Sequence, residues 1–231
     1  MRQAEKRLGL RFKIWKKYCI PIDKMLKQDG PKGDGIREEI VEKTKQKVYD
    51  HLIEYIESEG YPIESDEDFK EANVNDLVIF IIAPILAAFR RETGREIYLH
   101  REKDIVSIDK KFHGYEAFVM MDFIGMEDGK HVLVVEAKKS SIGQAKWQCL
   151  LALKDMLDNN LGGVVYGFVT AGVEWQMIRY DGKDFTQTGP FQVLFRTMGY
   201  EKEEWMKRYS VVVDCIHMAL RGGGSGATGS G

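Results

Sequence analysis

The segment that decides the fold spans residues 116–158 and contains His131-Val132-Leu133-Val134-Val135-Glu136-Ala137-Lys138. Its apolar, β-branched run predicts a buried strand, yet the strand ends in a carboxylate and an ammonium two residues apart. Because side chains alternate along a strand, Glu136 and Lys138 are expected on one face. A buried charge is costly unless it is paired or bound to a metal, so this placement needs a physical reason.

Further elements are predicted on both sides of this strand from apolar periodicity and from Gly, Pro and Asn at element ends. Helices are predicted over residues 36–60, 76–93 (containing Pro84 and ended by Gly94), 142–159 and 201–220, with a short helix capped by Ser65. Strands are predicted over residues 96–100, 104–108, 116–125, 131–138, 164–170 and 174–180. This order predicts an α/β or α+β fold, with a central mixed β-sheet flanked by helices.

Length and composition fit one main domain with appendages. The chain has 231 residues, of which 44% are hydrophobic, enough for a sizeable core. We predict an N-terminal helical extension over residues 1–72 and a core with a closing C-terminal helix over residues 73–221. Residues 28–35 are expected to form a loop, and residues 222–231 a flexible Gly/Ser linker or added tail.

The cysteines and the hydropathy pattern argue against several protein classes. Cys19, Cys149 and Cys215 are odd in number and far apart, so neither a disulfide framework nor a zinc site is expected. The most apolar run, residues 77–89, is short for a membrane span and contains Pro84, and the N-terminus lacks the apolar core of a signal peptide. We therefore expect an intracellular protein of the cytoplasm or nucleus, with no membrane partner.

The N-terminal segment is strongly basic, although the formal net charge of the whole chain is only -2. Residues 1–32 contain ten Lys or Arg against three acidic residues. Basic and apolar residues interleave there, which predicts an amphipathic helix up to the break before Pro21. Three interpretations stay open: packing on the main domain with a solvated basic face, contact with a nucleic acid, or binding to a membrane surface.

Asp122 lies on the strand that precedes Glu136, with a hairpin signal at Asp128-Gly129 between the two strands. If the loop has an odd number of residues, with Gly129 in a left-handed bulge, paired positions sum to an even number. Asp122 would then share a face with Glu136 and Lys138, whereas an even loop would place it on the opposite face.

Given the first register, two carboxylates and a lysine converge at one edge of the sheet. Asp122, Glu136 and the backbone carbonyl of Ala137 could hold Mg²⁺ or Mn²⁺, which prefer oxygen ligands. Lys138 could orient the attacking water or stabilise charge that develops on a phosphate. These groups suit the hydrolysis of a phosphodiester.

Asp122, the tripeptide Glu136-Ala137-Lys138 and the following helix with Gln144 and Gln148 resemble the PD-(D/E)XK nuclease superfamily. Over residues 76–180, the resemblance implies a restriction-endonuclease-like core, in which a helix precedes three strands and a helix and a further strand follow. It implies a nuclease that cuts DNA or RNA with Mg²⁺ or Mn²⁺. Asp122 and Glu136 would be metal ligands and Lys138 the catalytic lysine.

The same resemblance implies supporting residues. Gln144 or Gln148, or both, would line the site from the helix, and a further acid, Glu71 or Asp76, would join the metal from the first core helix. Met121 stands where many members have proline. Many members act as dimers, so a homodimer stays open.

Two other functions stay open. A catalytically inactive domain of the same fold would bind nucleic acid or a protein partner without turnover. An interaction module would instead use the acidic helix of residues 36–60 and the aromatic residues of the late hairpin. Structural roles also remain for the named side chains: a charged strand end for Glu136 and Lys138, a strand cap for Asp122, and ordinary helix positions for the two glutamines.

Overall fold

The computed structural model describes residues 2–28, 36–63, 65–106, 113–123, 129–140 and 142–224. The predicted turn at Asp128, most of the 28–35 loop and the tail beyond residue 224 lie outside this description. The α-helices of the described residues are α1 Arg2–Leu8, α2 Phe12–Trp15, α3 Ile22–Gln28, α4 Glu38–Glu59, α5 Glu71–Thr93, α6 Ile142–Asn159, α7 Lys202–Glu204 and α8 Val211–Gly222. The strands are β1 Ile97–Val106, β2 His113–Asp122, β3 Lys130–Ala137, β4 Val165–Thr170, β5 Glu174–Tyr180, β6 Phe185–Gln187 and β7 Phe191–Gln192.

The strands form one mixed sheet in the order β1-β2-β3-β4-β5-β6, and β7 pairs with β5. Strands β3 and β4 are parallel, and the other pairings are antiparallel. Parallel neighbours need a crossover connection, which α6 supplies. The predicted mixed α/β architecture is confirmed, and α5, β1, β2, β3, α6 and β4 follow one another in the expected order.

The sheet separates two hydrophobic layers. On one face, α4, α5 and α8 cover Phe118, Leu133 and Val135. On the other face, α6 covers Val119 and Val134. Because side chains alternate along β3, residue 136 belongs to the α6 face and residue 137 to the α5 face.

Helix α5 begins five residues earlier than the sequence predicts. From the sequence, either Asn73 or Asn75 could cap this helix. Asn73 lies in its first turn, where its side chain accepts a hydrogen bond from the backbone N–H of Lys70 at 2.7 Å. This side-chain cap closes the first turn of a helix that begins at Glu71. Gly94 ends the helix in the left-handed conformation, as predicted.

Within the described residues, α5 is also the helix whose length and composition would suffice to cross a membrane. More than half of that apolar stretch is buried, and α5 contacts α4, α8, β1 and β3. This burial is typical of a core helix in a soluble protein.

Other differences from prediction have local causes. The residues after Ser65 form no helix, because the Asp66 side chain accepts a hydrogen bond from the Asp68 N–H at 2.9 Å, a turn that competes with helix formation. The two predicted strands at residues 96–108 are one strand, β1. The closing helix is interrupted over Trp205–Tyr209 by a π-helical turn, in which Ser210 N–H donates to the Trp205 carbonyl at 3.0 Å.

Before Pro21, the basic N-terminal segment forms two short helices instead of one, with Gly9 in a left-handed conformation after the first, and α3 follows Pro21. Its residues 5–20, hereafter the arm, pack on α6 and β6. The ring of Phe12 stacks on Trp147 with centroids 4.3 Å apart, and the Trp15 indole N–H donates to the Phe185 carbonyl at 2.7 Å. Of the three interpretations of this segment, packing on the main domain is observed for the face that carries Phe12 and Trp15.

The start of the arm is held by an ion pair between Arg7 and Asp155, both of which are largely buried. Burial raises the pKa of Asp155 to about 6, although Arg7 partly offsets that rise. A carboxyl group whose folded-state pKa exceeds its ordinary value of 3.8 adds stability at low pH and loses it as the pH rises through about 6.

The variant Asp155→Asn removes this titration. Between pH 4 and pH 7, we expect the free energy of unfolding of the wild type to fall by roughly 2 kcal/mol relative to this variant. Urea unfolding of both proteins across that range measures the difference, and Asp184→Asn, at an exposed position after β5, is the control. A difference that does not change with pH would contradict the expectation.

Candidate active site at the end of β3

Glu136 lies at the C-terminal end of β3, where the backbone leaves the sheet. Glu136 pairs with Val169 of β4, and it is 1% exposed. Burial raises the pKa of the Cys149 thiol on α6, and the charge of Glu136 raises it further. Glu136 therefore lies on the α6 face, as the alternation along β3 requires.

Lys138 follows directly after the strand. Its backbone N–H donates to the Thr170 carbonyl at 3.0 Å, which continues the β3–β4 pairing by one bond. Its ammonium nitrogen lies 3.0 Å from Oε1 of Glu71, the first residue of α5. A carboxylate in the first turn is favourable because the N-terminus of a helix carries partial positive charge.

The neighbouring Lys139 makes a different contact. Its ammonium donates to the backbone carbonyl of Asp66 at 2.6 Å. Both lysines thus connect the end of β3 to the segment around the start of α5. Of the two acids that the resemblance offers from the first helix, Glu71 is the one that contacts the Glu136-Ala137-Lys138 segment.

Asp76 lies elsewhere. Its carboxylate is 3.7 Å from Arg101 of β1, in a pair whose side chains are both more than half exposed. The guanidinium of Arg101 lies over the ring of Phe118, in the layer covered by α5. Asp76 is therefore on the opposite side of the sheet from Glu136, and the structure does not bring these two predicted metal ligands together.

Asp122 is also not brought to Glu136. Near the turn, Asp122 pairs with Lys130, so the paired residue numbers sum to an even number, as expected for a loop with an odd number of residues. A bulge then shifts the register, so that Phe118 pairs with Val135, an odd sum. The expectation that Asp122 shares a face with Glu136 is therefore wrong. The two residues are also far apart, because the six residue steps along β3 from Lys130, the partner of Asp122, to Glu136 span about 20 Å.

The Asp122 side chain instead binds Arg95. Nε and Nη2 of Arg95 donate to Oδ2 of Asp122 at 2.8 and 2.6 Å, and Nη1 donates to the Leu220 carbonyl at 2.7 Å. Leu220 lies in the last turns of α8, where the partial negative charge of the helix favours a cation. Asp122 is 5% exposed. Through Arg95, Asp122 therefore links the end of β2 to α8, at the end of β3 opposite to Glu136.

The two glutamines of α6 differ in environment. Gln144 is exposed, whereas Gln148 is half-buried, next to the buried Cys149. Oε1 of Gln148 is buried and accepts no hydrogen bond within the described part of the chain. Gln148 is thus the glutamine with an inward-facing acceptor that can receive a hydrogen bond from a water or a substrate.

The oxygen donors near the end of β3 are Glu136, the Ala137 carbonyl and Glu71. They are hard ligands of the type that Mg²⁺ and Mn²⁺ prefer, so their chemistry fits such an ion. Among the described residues, no group of three or more His, Cys, Asp or Glu side chains lies close enough to hold a metal. The distant placement of Asp122 and Asp76 accounts for this.

The register also shows which β2 backbone lies beside the end of β3. Continuing the pairing of Phe118 with Val135 by two residues sets the backbone of Glu116 opposite Ala137. Ala137 belongs to the α5 face, so this backbone position is not paired with Glu136, which lies on the α6 face.

Comparison of the chain with protein-family models, with curated protein sequences and with solved structures gives no match.

Proposed function

We propose that this protein is a nuclease of the PD-(D/E)XK type, which acts inside the cell and hydrolyses phosphodiester bonds of DNA or RNA with Mg²⁺ or Mn²⁺. The observation that carries the proposal is the end of β3, where Lys138 is held at 3.0 Å by Glu71 while Glu136 lies two residues before it. The element order from α5 to β4 supports it, because it is the order that a restriction-endonuclease-like core requires.

Each group has a role in the proposed reaction. Glu136 and the Ala137 carbonyl would hold the ion, which would supply a Lewis acid and lower the pKa of a bound water. The ammonium of Lys138 donates hydrogen bonds to the phosphate oxygens, where negative charge increases in the transition state. Gln148 accepts a hydrogen bond from the attacking water and thereby orients it.

The burial of Glu136 favours a second candidate function. A carboxylate that is 1% exposed leaves little room for an ion and a scissile phosphate unless the neighbouring chain moves. A domain of the same architecture that binds nucleic acid without cutting it has no need of that access.

The two candidates are separated by incubating the full chain with end-labelled single- and double-stranded DNA and RNA, with Mg²⁺, with Mn²⁺ and with EDTA. Cleavage that requires the metal and is abolished by EDTA is the expected result, and the panel identifies the polymer. Salt-sensitive binding without cleavage under any of the three conditions would support the binding module. A protein that neither binds nor cuts any of the four polymers would overturn both.

A further inference from the structure

The arm carries a surface of unpaired positive charge. Residues 5–20 contain six Lys or Arg and one acid, Glu5, whose carboxylate accepts a hydrogen bond from the Phe12 N–H at 3.0 Å. Arg7 is used in the pair with Asp155. The other five basic side chains are exposed and form no ion pair within the described part of the chain: Lys6, Arg11, Lys13, Lys16 and Lys17.

The arm runs along α6 toward the candidate active site. Its start is fixed at Asp155 by Arg7 and its middle at Trp147 by Phe12. The eight residues from Asp155 to Trp147 span about 12 Å along the helix. Because α6 begins directly after the loop that carries Lys138, this direction leads from the far end of the sheet to the end of β3.

The end of the arm meets a further cation, Lys146 of α6. Burial lowers the pKa of the Lys146 ammonium, and the charge of Lys16 lowers it as well, against an opposing effect of Cys19. Lys146 forms no ion pair within the described residues. Lys16 and Lys146 thus place two positive charges at this end of the arm, and such a pair attracts an anion.

An exposed aromatic ring accompanies these cations. The side chain of Tyr18 is 71% exposed, while its backbone carbonyl accepts a hydrogen bond from the side-chain amide of Gln187 at 3.1 Å. The same amide donates to the Trp15 carbonyl at 3.1 Å, and Ile20 N–H donates to the Gln187 carbonyl at 2.9 Å. The backbone that carries Tyr18 is therefore held before any ligand arrives, which lowers the entropic cost of binding.

We infer that the arm binds a single-stranded nucleic acid, with phosphates on Lys13, Lys16 and Lys17 and an unpaired base stacked on Tyr18, and guides the strand to the end of β3. Positive charge along a track, together with an exposed aromatic ring, is the combination that single-strand binding uses. This inference rests on the proposed function and assigns its substrate. A membrane surface fits less well, because Phe12 and Trp15 face the protein and cannot insert into lipid.

Binding is measured by fluorescence anisotropy with labelled 20-nucleotide single-stranded DNA and RNA, matched duplexes, and vesicles that contain phosphatidylserine, all in EDTA so that nothing is cut. The test variants of the full chain are the triple Lys13→Gln, Lys16→Gln, Lys17→Gln and the single Tyr18→Ala. Matched controls on exposed positions away from the arm are the triple Lys43→Gln, Lys47→Gln, Lys207→Gln and the single Tyr200→Ala.

We expect the arm triple to weaken single-strand binding by roughly 10- to 100-fold at 0.1 M salt and to reduce the slope of log K against log salt by about 2. Tyr18→Ala should weaken it by about 10-fold. The control variants should bind as the wild type does, and thermal melting should show that all variants fold, because every altered side chain is exposed.

Equal affinities and salt slopes for the arm triple and its control would overturn the inference. So would tighter binding to duplex or to vesicles than to single strands, or a Tyr18→Ala variant with wild-type affinity. Wild-type protein that cuts a polymer normally, yet shows no dependence on the arm, would leave the proposed function standing and remove this inference. Arm-dependent single-strand binding without cleavage would support this inference and overturn the proposed nuclease function.

Discussion

Replacing Lys138 with methionine should reduce metal-dependent cleavage by about 100-fold or more, the usual effect of removing one donor that stabilises transition-state charge. The free energy of unfolding should change little, because the Lys138–Glu71 pair is partly exposed and such pairs contribute about 1 kcal/mol or less. Single-turnover cleavage and urea unfolding of the same protein preparations give the two numbers.

Lys139→Met is the matched control for Lys138→Met. Lys139 is the next residue, and its ammonium contacts only a backbone carbonyl, that of Asp66, among the described contacts. We expect this variant to cleave within a few-fold of the wild type. If Lys138→Met cut as fast as Lys139→Met, the end of β3 would not be the active site.

The same cleavage assay distinguishes Glu136, near Lys138, from Asp122, which the register places at the other end of β3. Glu136→Gln should lose cleavage as Lys138→Met does, because Glu136 lies two residues before Lys138 at the end of β3. Asp122→Asn should retain the rate per folded molecule. Loss of cleavage in a well-folded Asp122→Asn protein would contradict the placement of the site.

Replacing Asp122 with alanine should instead lower the free energy of unfolding by about 3 kcal/mol, a value reduced for the partial exposure of Arg95. The substitution leaves the Arg95 guanidinium without its carboxylate while a hydrogen bond to the Leu220 carbonyl still holds it in place. Urea unfolding measures the loss.

Asp76→Ala is the control for Asp122→Ala, because it removes a carboxylate from an ion pair with arginine whose side chains are more than half exposed. Its expected cost is about 0.5 kcal/mol or less. Equal costs for the two variants would show that the Arg95–Asp122 contact does not fasten β2 to α8. The double variant Arg95→Ala, Asp122→Ala should be no less stable than Asp122→Ala alone, since no charge is then left without its partner.

Most of the fold could be predicted because its signals are local. The β-branched run of β3, the apolar periodicity of α6 and the hairpin of β4 and β5 each depend on residues adjacent in sequence, and all three elements are found within a residue or two of their predicted bounds. The start of α5 was misplaced because Asn73 resembles a capping residue, whereas it acts from inside the first turn.

The candidate site was only half predictable. Glu136 and Lys138 were identified because a charged end on a buried strand is visible in the sequence itself. Asp122 was added on the assumption of an uninterrupted register, and one bulge in β2–β3 cancels that assumption by moving every later residue to the other face. No local pattern in the sequence signals this bulge.

Local sequence patterns specify which segments are helices and strands, which residues are apolar enough to be buried, and where a charged pair ends a buried strand. Only the tertiary structure decided the partners of those charges: Arg95 for Asp122, 27 residues away, Glu71 for Lys138, 67 residues away, and Asp155 for Arg7, 148 residues away. The two kinds of interaction differ in the sequence separation over which they act. Backbone propensity and periodicity act between neighbours in the chain, whereas ion pairs form wherever the packing of two hydrophobic layers on one sheet brings distant side chains within hydrogen-bond distance.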